Sequence, residues 1–406
     1  MEAFGIQNTP GSKNGGALIL TIDVDLNLIK FLGRCVYGDP VAYYLDLSVP
    51  DRRKLLKEAQ KNGYLNWIYR YLQPVLKPEI SAVAGRAYQT SQAAALSDEC
   101  GLRRLYRVLA QAGLRFVPIK GVDLAFRVYP DAALRNFVDW DIWFHPDDCE
   151  AALPVLRQDG WLAPYLETRR KTARQHYAAH CRGDKTLEPH CTLSRFGKVD
   201  PLKLWEHTVP DAEIPGMRRL TPELNFLMLN RHASANCYRF AKIPQLLVDT
   251  AFLMQKTPVD FAGSRRLSEQ WQLPYAGDLP AAYPEFFPPE ILAELQADPV
   301  RSAAYRNLFD FRAKLPDSSL TSWRLADATA QGQLGRQAIG FLKNHRATVI
   351  RSRYYLPERG AYGRLAWAYC RYLAGKTVAA FRLLSRSDGK LREYCRKLRK
   401  LEPDCE

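Results

Sequence analysis

The segment from Arg135 to Phe144, RNFVDWDIWF, limits what this chain can become more than any other stretch. Asp139 and Asp141 stand one residue apart in an otherwise bulky apolar run. Side chains two apart on an extended chain share a face. The segment therefore predicts a strand with both carboxylates on one side, next to Ile142, Trp143 and Phe144. Two like charges held at the edge of a core repel each other and lose hydration, so they need a cation. Hard divalent ions take oxygen ligands, and Mg²⁺ is commonly held by one or two carboxylates plus substrate phosphates. An Asp-x-Asp strand thus fits metal-dependent phosphoryl or nucleotidyl transfer. By itself the pattern is weak, because a solvated strand end explains most such pairs. Asp23-Val24-Asp25 is one: only six residues separate it from Gly15-Gly16, too few for a phosphate-cradling turn and a return strand.

The second pair has chemical company. Upstream, RFVPI (Arg115 to Ile119) reads as a short strand, followed at once by Lys120-Gly121 and a helix-like VDLAFRVY. A glycine there lets backbone N–H groups approach a phosphate, and the helix start favours an anion. Lys120 adds a positive charge suited to a triphosphate. Arg135 suits a phosphate equally well, or a salt bridge to Asp139 or Asp131. Downstream, TLEPHCTL offers a third acid, Glu188, with His190 on its face. Glu188 fits both metal ligation and general-base work; an exposed strand-end glutamate is the plainer use. Strict alternation sends Trp140 into packing and puts Trp143 on the carboxylate face, beside a nucleobase.

The remaining chain reads as mostly helical. Leu18 to Leu28 suggests a short strand after a Gly- and Asn-rich start. Asp51 to Leu76, Ala82 to Leu96 and Asp98 to Ala112 carry helical periodicity. Pro146 to Gln158 has it too, ending at Gly160. Thr221-Pro222-Glu223 is a helix start, with Thr as cap and Pro in the first turn. Residues 270–300, rich in Pro and Ala, read as irregular linker with short helices, and 318–346 and 361–401 as helices. The fold class expected is α+β: a small mixed-sheet core at 98–210, flanked by an N-terminal segment and helical region at 1–97 and a C-terminal helical region at 211–406.

The net charge of +15 favours polyanionic partners. Over half of it lies in residues 351–406, where fourteen Lys and Arg face six acids. That tail reads equally as a solvated helical face or as a nucleic-acid or membrane-surface contact. Nine scattered cysteines without a CxxC indicate a reducing compartment. His176, His180, Cys181, His190 and Cys191 form a cluster that zinc would suit, though local packing is its simpler use. No stretch reaches the ~20 uninterrupted apolar residues of a membrane span, and no signal peptide is evident, so a cytoplasmic location is expected.

Several of these segments, in order, resemble a family of uncharacterised bacterial nucleotidyltransferases within the DNA polymerase β-like superfamily. VPIKGVDLAFRVYP is similar to its Leu-Lys-Gly segment and Tyr-Pro turn. ALRNFVDWDIWFHPDD is similar to its Arg-x-x-x-Asp-x-Asp strand and acidic helix start. LEPHCTL is similar to its acid-x-His strand, with Pro189 and Cys191 in place of the usual Leu and Trp. LTPELNFLMLNRHA and PQLLVDTAFLM resemble its downstream helices. The superfamily's Gly-Ser signature is replaced by Lys-Gly, as is usual in this family.

The resemblance implies transfer of a nucleoside monophosphate from an NTP with release of pyrophosphate, using two Mg²⁺ ions, or Mn²⁺. It places Asp139, Asp141 and Glu188 on the metals, with Glu188 also helping to deprotonate the acceptor. It places Lys120, Gly121 and Arg135 on the triphosphate, and His190 beside Glu188 or the nucleotide. His232 and Asp249 are read as helix-packing or polar-core residues, with substrate contact as the alternative. Three alternatives remain open at this level: a small molecule, sugar, peptide or protein as acceptor; RNA, for instance tRNA ends; and a non-catalytic nucleotide- or RNA-binding scaffold.

Overall fold

A computed structural model describes residues 26–163, 177, 179–193, 196, 199–235, 243–313 and 397. The Asp23–Asp25 pair, His176, the expected helices at 318–346 and 361–401 and nearly all of the basic tail lie outside these residues.

Five helices come first: α1 (Leu26–Tyr37), α2 (Pro40–Asp46), α3 (Val49–Asn62), α4 (Leu65–Leu72) and α5 (Pro78–Gln111). Then comes the α/β part: β1 (Phe116–Pro118), α6 (Gly121–Arg127), β2 (Trp140–Phe144), α7 (Cys149–Gln158), β3 (His180–Arg182) and β4 (Lys185–His190). A short helix α8 (Pro201–Glu206) and a hairpin of β5 (Thr208–Pro210) and β6 (Arg218–Leu220) lead to α9 (Pro222–Ala235), α10 (Ile243–Lys256), α11 (Phe261–Gln270), α12 (Pro289–Glu294) and α13 (Pro299–Ala313). The fold is α+β, as expected.

The main sheet has the order β1-β2-β4-β3. β1 runs antiparallel to β2, β2 parallel to β4, and β4 antiparallel to β3. The parallel pair needs a long crossover, which contains α7. The hairpin docks beside β1 through the Phe116–Met217 bridge.

Strand alternation divides the core. Trp140, Ile142 and Phe144 face one apolar cluster, with Leu102, Leu105 and Leu109 of α5 and Leu156 of α7. Trp143 faces the other, with Val117, Ile119 and side chains of α1, α3, α4, α9 and α10. Each fully buried Leu or Phe in these layers contributes roughly 1.5–3 kcal/mol.

Four expectations change. Leu26 to Leu28 open a helix instead of ending a strand. The helix expected from Asp51 to Leu76 is two, α3 and α4, parted at Gly63. The helices expected at 82–96 and 98–112 are one 34-residue helix, and the expected boundary between residues 97 and 98 falls inside it. Ser97-Asp98 resembles a cap, but Asp98 points sideways from mid-helix. Its carboxylate accepts from the Trp140 indole at 3.3 Å and pairs with Lys185 Nζ at 2.6 Å, tying α5 to both long strands. The close approach also needs Gly101, where a Cβ would stand 2.5 Å from the Trp140 ring. Finally, residues 270–300 hold short helices, α12 among them, as expected, yet they are no loose linker. Tyr275, Leu279, Tyr283, Phe286, Phe287 and Leu295 are buried in the larger cluster. Prolines keep the helices there short, while the aromatic residues supply a core-facing surface.

Candidate active site

β2 and β4 pair with Asp141 opposite Glu188 and Trp143 opposite His190. Opposed residues of paired strands share a face, and residues two apart on one strand do too. The register alone therefore gathers Asp141, Glu188 and His190 on one side; a slip of one residue would turn Glu188 and His190 away. Asp141 and His190 are buried, and Glu188 keeps about a quarter of its side chain exposed (26%).

Their polar atoms converge. His190 Nε2 lies 2.6 Å from Asp141 Oδ1 and 3.9 Å from Glu188 Oε2. Lys120 Nζ donates to the same Asp141 Oδ1 at 2.8 Å. One donor atom from each of Asp141, Glu188 and His190 lies within 4.8 Å of the others. Burial works to raise the Asp141 carboxyl, but the Lys120 ammonium, reinforced by the His190 hydrogen bond, holds it well below the usual carboxylate range. Asp141 is thus a fixed anion, and the Lys120 ammonium on Oδ1 stands in for a bound cation. Two oxygens and a nitrogen converging on a point that attracts positive charge fit a divalent ion.

The local backbone aims Lys120. It joins the end of β1 to the start of α6 with φ 57° and ψ −126°. That region suits glycine, and a lysine held in it is strained by roughly 1–3 kcal/mol. The Ile119 N–H donates to the Asp141 carbonyl at 3.1 Å and ties this turn to β2. Gly121 also meets a packing demand at this turn. It is buried, and a Cβ on it would stand 2.7 Å from Phe137 Cβ. Its missing side chain is what lets Phe137 close over the turn.

Asp139 sits in the bend just before β2 and is partly exposed, beside the open side chain of Val138. It is outside the three-residue cluster, which contains His190 where the expected metal set had Asp139.

Arg135 has a different partner from the two expected. Its Nε and Nη2 bind Asp249 of α10 at 2.7 and 3.0 Å. The Tyr129 hydroxyl donates to Asp249 at 2.6 Å, and Gln245 donates to both Tyr129 and Asp249. Arg135 Nη1 also donates to the Asn136 carbonyl, which pins the loop leading to Asp139. No local pattern announces a pairing between residues 114 apart.

The two tryptophans divide as alternation predicts, but Trp143 does not meet a base. Trp140 packs on Trp161 at 5.2 Å. Trp143 has no exposed surface and meets Trp205 of α8 edge-on at 4.8 Å. Among the described residues, His180, Cys181 and Cys191 join no metal-type cluster. No helix among them is long and apolar enough to cross a membrane.

No curated protein and no solved structure matches the chain. A family model does: residues 50–276, more than half of the chain and including every site residue described above, match the uncharacterised nucleotidyltransferase family, and the chain belongs to that family.

Proposed function

We propose that this protein is an enzyme that transfers a nucleoside monophosphate from an NTP to an acceptor hydroxyl. One observation carries the reading: buried, ionised Asp141 is aligned by strand register with Glu188, and Lys120 is aimed at it through a strained backbone. Family membership carries nucleotidyl transfer as the general chemistry.

In this reading Asp141 and Glu188 would hold a divalent ion, and Asp139, two residues before Asp141, would help hold a second; Mg²⁺ is the ion the resemblance implies. Such an ion, when bound, neutralises charge developing on the phosphates. The protein's own groups do the rest. Lys120 exchanges its contact with Asp141 for an oxygen of the triphosphate. Glu188, still partly open to solvent, takes the proton from the acceptor hydroxyl. The acceptor oxygen bonds to the α-phosphorus, the bridging bond to the β-phosphate breaks, and pyrophosphate leaves. Arg135 keeps its grip on Asp249 and positions the loop that carries Asp139. The charge of +15 favours a polyanionic partner, so RNA is the second acceptor class to test, beside small molecules and proteins.

The test incubates the protein with labelled NTPs and Mg²⁺ or Mn²⁺, together with either total RNA or a small-molecule and protein lysate. Label appears on one acceptor class, and Asp139→Ala abolishes it without unfolding the protein. Nucleotide binding without transfer under every condition overturns the reading in favour of a non-catalytic scaffold.

A further inference from the structure

An all-oxygen site is what Mg²⁺ prefers, because it is small, hard and slow to give up oxygen ligands. The cluster here is not all oxygen. We infer that His190 is itself a ligand, so that the site has two carboxylate oxygens and one imidazole nitrogen and prefers a first-row transition ion, for which Mn²⁺ is the probe, to Mg²⁺. This rests on the reading of Asp141 and Glu188 as cation ligands.

The placement of His190 supports it. The ring is buried, and the nitrogen turned to the carboxylates is Nε2, 2.6 Å from Asp141 and 3.9 Å from Glu188. Donors sharing one ion at bond lengths of about 2.1 Å lie no more than about 4.2 Å apart. A cluster already within 4.8 Å needs only small side-chain rotations to meet that limit.

Pro189 holds the arrangement still. It lies between the two β4 ligands with its φ fixed by the ring. It tolerates a place in the sheet because β3 pairs with β4 only as far as Leu187. Beyond that point its carbonyl accepts from the Tyr177 N–H at 2.8 Å. On the other side, the Pro189–Ile142 register fixes it against β2. A site preset in this way favours the ion matching its donor atoms, and imidazole nitrogen suits transition ions better than Mg²⁺.

The test measures metal binding by the full chain without nucleotide. Calorimetric titration with MnCl₂ and with MgCl₂ shows Mn²⁺ binding at least about tenfold more tightly, and His190→Asn brings the two within about threefold. Pulsed electron paramagnetic resonance of the Mn²⁺-loaded wild type shows coupling to a directly bound nitrogen, and the variant lacks it. Should His190→Asn not fold, the wild-type spectrum decides. Equal affinities, a preference that survives the substitution, a spectrum without nitrogen coupling, or no measurable binding of either ion overturns the inference. Transfer with Mg²⁺ by a protein that fails these tests leaves the nucleotidyl-transfer reading standing. Nitrogen-coupled Mn²⁺ in a protein that never transfers label overturns that reading and keeps His190 as a ligand.

Discussion

Asp141 and Asp249 are both buried aspartates with a cationic partner on Oδ1, yet they are built in opposite ways. Asp249 is gripped by the planar fork of Arg135, with Tyr129 and Gln245 completing the shell. A bidentate guanidinium is preorganised and always charged, so such a pair stays closed. Asp141 meets a lysine, a compact point charge on a flexible stem, and an imidazole, with a second carboxylate close by. Those partners can leave without breaking a fork. Asp249 therefore reads as architecture, whereas in the proposed reading Asp141 is the acid whose cationic partner can be exchanged for an incoming metal ion.

Substitutions test that contrast from both sides. Asp141→Asn lowers nucleotidyl transfer by on the order of a thousandfold, read in a single-turnover assay, while its circular dichroism stays native. Turnover above a tenth of wild type would break the comparison. Asp249→Ala acts on stability instead: stranding Arg135 costs about 3–5 kcal/mol in urea unfolding, and a loss below 1 kcal/mol would show that the pair is not architectural. Arg135→Lys keeps the charge but loses the fork, and unfolds about 2 kcal/mol more easily. The smallest effect concerns Arg115 and Asp148, an outside control. Hydrogen bonds from the Arg115 guanidinium, despite partial burial, hold the Asp148 carboxyl below its usual range. A depressed folded-state value gives stability that is present above the unfolded value of about 3.9. It is lost as pH falls below that value and through the folded one. Stability of Asp148→Asn therefore changes less steeply than wild type below about pH 4, and identical slopes would remove the pair from this account.

Much of the α/β core was legible because its signals are local. The alternation in DWDIWF, the acid-x-His spacing in LEPH and the Lys-Gly turn survive in the structure, since strand faces follow directly from spacing of two. What escaped depends on contacts far along the chain. A helix was expected to begin at Asp98, yet Asp98 sits inside one long helix, held sideways by Trp140 and Lys185. Arg135 offered two nearby acids, and a third, 114 residues away, holds it. Gly121 suggested close approach of a phosphate to the backbone, and no local signal showed that Phe137 packs against the same turn. Trp143 was on the expected face, but α8 brings Trp205 against it. In each case local chemistry gave the residue's capability, and tertiary packing chose the partner.

The twist at Lys120 has a consequence for how this chain can change. Its backbone torsions would suit glycine better, so Lys120→Gly should relax the turn, and the same substitution deletes the ammonium on Asp141. Relief of backbone strain and loss of the contact on Asp141 are thus tied to one codon. In the proposed reading, an exchange that eases folding at this one position silences the site, so stability and transfer pull the residue in opposite directions.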